Sequence, residues 1–141
     1  MTKLYIDTNI LIYAIEDSLN PFGKDISTSS SKLFGEAASC KYQVIISTWA
    51  LSEVRRIRNI DDLDMLLKIV EKKIIIQKYT KEDVEQAKRQ NSDHFQDELH
   101  GMLALRAGAD YIVTRNVDDF KHLNKQIKAV KPEQLLKPSS S

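Results

Sequence analysis

Cysteine is nearly absent from this 141-residue chain, in which Cys40 is the only one. A single thiol excludes an intramolecular disulfide and a zinc site built from several thiolates. Glycine and proline are also scarce, at 4 and 3 residues, while hydrophobic residues make up 42%. This composition is typical of a folded domain and not of a disordered segment. We expect one domain over residues 1–136 and a disordered tail over residues 137–141.

Long apolar runs and a charge of one sign are missing as well. No apolar stretch approaches the ~18 residues that indicate a membrane-spanning helix, and the first residues lack the layout of a signal peptide. We therefore expect a cytoplasmic protein with no membrane partner. The formal net charge of +1 neither predicts nor excludes a polyanionic partner, because local charged patches can hide in a balanced total.

The sequence does contain short apolar runs that alternate with helical patterns. Runs at residues 4–6, 44–46, 74–76 and 111–114 predict buried strands, and a fifth strand is expected at an edge over 127–130. Helices are predicted between them, among others over 27–40, 60–70, 80–88 and 93–107, with Gly108 ending the last one in a left-handed conformation. This alternation predicts an α/β three-layer sandwich around a parallel sheet of four or five strands.

Acidic and amide side chains follow the predicted strands or open the neighbouring helices: Asp7, Glu53, Asp97, Asn116, Asp118 and Asp119. Right-handed crossovers bring the carboxyl ends of parallel strands to one edge of the sheet, where open α/β sheets place their sites. We therefore expect these side chains to converge there. A local explanation stays open for three of them. Asp7 can cap the next helix, Glu53 can pair with Arg56, and Asp97 can favour a helix N-terminus.

Several carboxylates at one edge would repel one another and would not ionise together in a dry pocket. A divalent cation removes this difficulty, and oxygen ligands favour Mg²⁺ or Mn²⁺ over zinc. The chemistry that such a site suits is phosphodiester hydrolysis. Arg115, directly after the fourth strand, is expected to contact a phosphate. His94 and His100 do not share a helix face at ligand spacing, so we interpret both as ordinary residues.

The same residues resemble a known family. Segments 4–9 (LYIDTN), 46–48 (IST) with Glu53, then Asp97 and 109–120 (ADYIVTRNVDDF) resemble, in this order, the PIN domain. The length and element order are most similar to VapC-type toxins and their stand-alone prokaryotic relatives. The resemblance covers nearly the whole chain, since residues 130–136 (VKPEQLL) are similar to the usual family ending.

This resemblance implies which residues form the site. The first three acids of the family fall on Asp7, Glu53 and Asp97. Many members have Asp where this chain has Asn116, and a further Asp at Asp119, so Asp119 is interpreted as the fourth carboxylate with Asp118 in reserve. The implied catalytic set is Asp7, Glu53, Asp97 and Asp119, and the implied metal ligands are Asp7, Asp97, Asn116 and Asp119. Thr8, Asn9 and Thr114 would orient the carboxylates.

The resemblance also implies a function. The expected protein is a Mg²⁺- or Mn²⁺-dependent endoribonuclease that acts on RNA as the toxin of a toxin–antitoxin pair. It would form a homodimer and bind a small antitoxin that occludes the acidic site. Two alternatives are an RNA-processing PIN nuclease without an antitoxin, and a catalytically silent PIN module that binds RNA or a protein partner. Asn116 is the one feature that favours the silent module.

Overall fold

Five strands alternate with helices in the computed structural model, which describes residues 2–19, 41–57, 64, 67–68, 74–123 and 125–135. The described elements are β1 (Thr2–Ile6), α1 (Thr8–Leu19), β2 (Tyr42–Ser47), α2 (Thr48–Ile57), β3 (Ile74–Gln77), α3 (Lys81–Gln90), α4 (Phe95–Arg106), β4 (Tyr111–Val113), a 3₁₀ helix (Val117–Leu123), β5 (Lys128–Val130) and α5 (Pro132–Leu135). The helix expected over 27–40, most of that expected over 60–70, and the tail over 137–141 lie outside the described residues.

The strands form one parallel sheet in the order β3-β2-β1-β4-β5. In the central strand, Tyr5 lies opposite Ile45 of β2 and opposite Ile112 of β4. All strands run in the same direction, so their carboxyl ends meet at one edge. The chain leaves β1 and β4 at adjacent points of this edge, because the N–H of Asp7 donates to the carbonyl oxygen of Val113 at 3.0 Å.

The two faces of the sheet bury alternate side chains of the same strands. On one face, Leu4 and Ile6 belong to an apolar cluster that includes side chains of α1 and α2. On the other face, Tyr5 belongs to a second cluster with Leu99 and Leu103 of α4. The predicted three-layer α/β/α sandwich with a parallel sheet of five strands is thereby confirmed. β5 is an edge strand, as expected.

The other edge strand, β3, is less buried than its apolar sequence predicts. Ile76 exposes 43% of its surface, and Ile74 and Ile75 are half-buried. An edge strand has a neighbour on one side only, so the coverage of its faces is incomplete. The expectation of a buried strand at 74–76 was therefore wrong in its burial, although the strand itself is present.

Two predicted helix boundaries have a clear local cause. Thr80 caps α3, since its hydroxyl accepts from the N–H of Asp83 while the Asp83 carboxylate accepts from the N–H of Thr80. Gly108 follows α4 with a φ of 71°, the left-handed conformation expected there. Among the helices of the described ranges, none is long and apolar enough to cross a bilayer.

Candidate active site

Asp7 lies at the carboxyl end of β1, and its carboxylate is held by three donors. Its Oδ1 accepts from the N–H of Thr8 at 2.7 Å. Its Oδ2 accepts from the Thr114 hydroxyl at 2.8 Å and from Nδ2 of Asn9 at 3.3 Å. Asp7 is only 7% exposed, so these bonds replace most of the water that an ionised carboxylate needs. The three residues expected to orient carboxylates thus all contact Asp7.

Glu53 reaches the same place from α2, the helix that follows β2. Its Oε1 accepts from the Thr8 hydroxyl at 2.7 Å and lies 3.3 Å from Nε2 of His100. Burial raises the pKa of Glu53, but the bonds from His100 and Thr8 outweigh burial, so that the pKa lies below its ordinary value. Arg56 adds a smaller effect in the same direction. Glu53 therefore contacts Thr8, directly after β1, and His100. The charge of Arg56 is only a minor part of its environment.

Asp97 lies in the first turn of α4, on the side of the sheet that Tyr5 faces. Burial is the largest cause that raises its pKa, and the negative charges of Asp119 and Asp7 raise it further. Like charges near one another disfavour ionisation, so Asp119 and Asp7 act on Asp97 in the same direction. Asp97 and Asp119 line a cleft of about 450 Å³, together with Asn91, His94, Glu98 and His122.

His100 is the residue that the sequence analysis missed. It is 3% exposed, and its Nε2 lies 3.3 Å from Oε1 of Glu53 and 3.4 Å from Oδ1 of Asp7. The interpretation of His100 as an ordinary residue was therefore wrong. The signal was present in the sequence, because Asp97 and His100 are three residues apart and share a helix face.

Burial lowers the pKa of His100, but the charges of Asp7 and Glu53 and the bond to Glu53 outweigh burial and raise the pKa above its ordinary value. On the other side of the ring, Nδ1 lies 2.6 Å from the hydroxyl of Tyr5. Burial raises the pKa of this phenol far above its usual range, so Tyr5 stays protonated.

The segment after β4 carries three further candidate residues, Asn116, Asp118 and Asp119. Asn116 is exposed, and its N–H donates to the Thr114 hydroxyl at 3.0 Å. The side chain of Asp118 is 84% exposed and pairs with Lys121 at 3.0 Å. Asp119 begins one turn after Asn116, since its N–H donates to the Asn116 carbonyl at 3.0 Å. The charge of Asp119 is one of the causes that raise the pKa of Asp97.

Arg115 forms a two-pronged ion pair with Glu133 of α5, and its side chain is largely buried. Its N–H donates to Oδ1 of Asn9 at 3.3 Å. Glu133 engages two of the five N–H donors of the Arg115 guanidinium, and the phosphate contact that the sequence suggested stays a prediction. In this arrangement the guanidinium connects the segment after β4 with α5.

Oxygen donors dominate this edge, which is the chemistry that Mg²⁺ and Mn²⁺ prefer. The mutual repulsion of Asp97, Asp119 and Asp7 is the strain that a cation would relieve. In its donor types the site therefore fits a divalent ion. Within the described ranges, however, no three histidine, cysteine, aspartate or glutamate side chains are arranged so that they could already hold one.

Comparison with solved structures gives the same fold at low sequence identity. A chain of VapBC2 from Rickettsia felis, crystallised bound to a DNA fragment from their promoter, is 17% identical with a TM-score of 0.55, over 92% of this chain and 98% of that chain. A chain of VapBC-1 from nontypeable Haemophilus influenzae is 15% identical with a TM-score of 0.54, over 94% of this chain and 99% of that chain. Among curated proteins, a search finds no significant match.

The family model of the PIN domain matches residues 3–118, a range that holds Asp7, Glu53 and Asp97 and stops one residue before Asp119. It spans four strands of the sheet and the helices that carry the acids. With this match and the fold described above, the chain belongs to the PIN domain family.

Proposed function

We propose that this protein is a Mg²⁺- or Mn²⁺-dependent endoribonuclease that hydrolyses RNA phosphodiester bonds in the cytoplasm. The observation that carries the proposal is the placement of the acids: Thr8 and His100 link Asp7 at the end of β1 to Glu53 of α2, and Asp97 and Asp119 line one cleft. Carboxylates at the carboxyl edge of a parallel sheet can bind a divalent cation, and the bound cation can promote hydrolysis of a phosphodiester. PIN domain membership supports the same reading, because nucleases are general in this family.

In this proposal each acid has its own task. Asp7, Asp97 and Asp119 would hold the ion, with the Asn116 amide as a neutral fourth ligand, and the side chains of Asp97 and Asp119 would have to turn toward Asp7. The ion would supply charge neutralisation at the phosphate and a bound water of lowered pKa. Thr8, Asn9 and Thr114 keep the Asp7 carboxylate in one orientation. Glu53, whose pKa the bonds from His100 and Thr8 hold below its ordinary value, would accept the proton of the attacking water.

The proposed biological role is that of a toxin in a type II toxin–antitoxin pair. The two similar structures are both VapBC chains, and this chain matches their length almost completely. We infer a homodimer and a small antitoxin that covers the acidic edge. Co-expression with the product of the adjacent gene tests this role, since a cognate antitoxin should co-purify with the protein and suppress its activity.

Cleavage of a mixed RNA pool in Mn²⁺, in Mg²⁺ and in excess chelator tests the enzymatic proposal. We expect cleavage with either metal and none with chelator. Asp7→Asn should lower the rate by on the order of 100-fold or more, because a residue that orients or holds the ion is lost. Asp118→Asn is the matched control, as Asp118 is exposed and paired with Lys121.

A silent PIN module is the second candidate, and one observation favours it. Asn116 supplies a neutral amide at a position where a carboxylate would bind the ion more strongly, and the residue is exposed. Metal binding separates the two candidates. An ion that binds only the folded protein at 100 times its Kd raises the free energy of unfolding by about 2.7 kcal/mol. No rise in Tm with millimolar Mn²⁺ or Mg²⁺, together with no RNA cleavage, would establish the silent module.

A further inference from the structure

His100 joins two of the acids through one nitrogen. Its Nε2 lies 3.3 Å from Oε1 of Glu53, 3.4 Å from Oδ1 of Asp7 and 3.5 Å from the Thr8 hydroxyl. These distances are long for a single hydrogen bond, as expected for one N–H that several acceptors share. Glu53 comes from α2 and Asp7 from the end of β1, so the imidazole of α4 connects three separate elements at the edge of the sheet.

The opposite side of the ring is fixed in the core. Nδ1 lies 2.6 Å from the Tyr5 hydroxyl, which is itself 2.9 Å from Oγ of Ser47. Ser47 is held in turn, because its Oγ accepts from the N–H of Ala50 at 3.0 Å. Tyr5 and Ser47 are fully buried. A buried ring with both nitrogens bonded cannot flip or tilt without breaking one of these contacts.

The partners determine where the ring proton lies. Ionised carboxylates only accept, so Nε2 must carry a hydrogen to face Asp7 and Glu53. In a neutral ring, Nδ1 then accepts from Tyr5, while the Ser47 hydroxyl donates to the Tyr5 oxygen. In a charged ring, Nδ1–H donates to the Tyr5 oxygen and the Tyr5 hydroxyl donates to Ser47. Both arrangements leave Nε2–H on the two carboxylates.

We propose that His100, anchored by Tyr5, is a positioning residue that fixes the Asp7 and Glu53 carboxylates relative to each other before metal and RNA bind. The proposal rests on the nuclease function proposed above and adds a component to it. The His100 ring is buried and its two nitrogens face Tyr5 and the carboxylates of Asp7 and Glu53, so it would touch neither the phosphate nor a base. Groups that orient ligating carboxylates typically change metal affinity or activity by about 10- to 100-fold when they are removed.

Three variants test the proposal. His100→Leu fills the buried space with an apolar side chain and removes the contacts of both ring nitrogens. Tyr5→Phe removes only the hydroxyl that contacts Nδ1. His100→Gln keeps an N–H donor that can face the carboxylates. Leu103→Val is the matched control, because Leu103 is fully buried one turn further along the same helix and lies in the core cluster. It lowers stability without a contact to the acids.

The measurements are kcat and KM for RNA cleavage in saturating Mn²⁺, and the Kd for Mn²⁺ from the free-ion resonance signal without RNA. For His100→Leu we expect kcat to fall at least 10-fold, KM to change less than 3-fold and the Mn²⁺ Kd to rise about 10-fold or more. Tyr5→Phe should show a smaller change of the same kind, and His100→Gln should recover most of kcat. Leu103→Val should lower Tm and leave all three constants near wild type.

The outcomes separate this inference from the proposed function. A wild type that cleaves RNA, with His100→Leu or Tyr5→Phe equal to it in kcat and in Mn²⁺ Kd, overturns the positioning role alone. The same holds if Leu103→Val loses as much kcat as His100→Leu, since general destabilisation then explains both. If His100→Leu does not fold, Tyr5→Phe and His100→Gln decide. A wild type that binds Mn²⁺ but cleaves no RNA contradicts the nuclease function, and the Kd ratios still decide the role of His100. A wild type that does neither overturns both.

Discussion

Arg115 and Glu133 form a two-pronged ion pair that ties the segment after β4 to the short helix α5. Nη2 of Arg115 donates to Oε2 of Glu133 at 2.9 Å, and Nη1 donates to Oε1. The bond from Arg115 lowers the pKa of Glu133 below its ordinary value. Because the backbone N–H of Arg115 also donates to Asn9, the pair stabilises the chain directly beside Asp7.

A double-mutant cycle with Arg115→Ala and Glu133→Ala should therefore give a coupling energy of about 0.5–1 kcal/mol. The value is modest since Glu133 is partly exposed and water screens the pair. Urea unfolding of the four proteins measures it. Additive losses would mean that the pair contributes nothing, and Arg115 would then be free for the phosphate contact that its position suggested.

Asp119 and Asp118 are neighbours with opposite expected behaviour. Asp119→Ala should lose most of the RNA cleavage, because its charge acts on Asp97 across the cleft. Asp118→Ala should retain cleavage, since this side chain points to solvent beside Lys121. Rates with Mn²⁺ on the same RNA pool are the measurement. Equal activity in the two variants would exclude Asp119 from the site.

The pKa of Asp97 gives a test that needs no substrate. Asp119→Asn removes a negative charge that raises this pKa, and the sign is fixed, because the loss of a like charge makes ionisation easier. The pKa of Asp97 should fall toward its ordinary value. Carbon-detected NMR titration of the metal-free protein measures it. An unchanged pKa would show that the charge of Asp119 does not act on Asp97.

Asn116→Asp should keep or improve metal-dependent cleavage, because it adds a carboxylate next to Thr114 at the acidic edge. In the metal-free protein the same substitution adds repulsion, so the increase in Tm on adding Mn²⁺ should be larger than in wild type. Thermal unfolding with chelator and with Mn²⁺ measures both effects. A loss of cleavage would show that the neutral amide has a role of its own.

The ion pair of Asp83 with Arg106, which is remote from the site, should make the free energy of unfolding decrease in acid. The bond from Arg106 holds the pKa of this buried carboxyl at about 2, below its ordinary value of 3.8. A lowered folded-state pKa contributes stability that is present above about pH 4 and is lost as the pH falls toward 2. The contribution is about 1–2 kcal/mol, discounted because Arg106 is half-exposed. Asp83→Asn should show a flatter decrease in unfolding free energy over this pH range than wild type, and parallel curves would contradict the assignment.

Local sequence was sufficient for much of the fold. The continuous apolar runs around Tyr5, Ile45 and Ile112 predicted the parallel strands, because strands covered on both faces need no polar alternation. The helix predicted over 80–88 is present as α3, with Thr80 as its cap. Topology then brought Asp7, Glu53 and Asp97 to one edge of the sheet. For these features the decisive contacts are short in sequence or follow from the direction of the strands.

The tertiary structure alone decided the partners of polar groups inside the core. Tyr5 is one apolar-looking residue in β1, yet its hydroxyl meets His100 because the side chains of a strand alternate between faces and α4 crosses the face of Tyr5. Arg115 has a carboxylate partner eighteen residues away in α5, which no local pattern indicates. Such pairs depend on the positions of the helices on the sheet, and packing of the whole domain determines those positions.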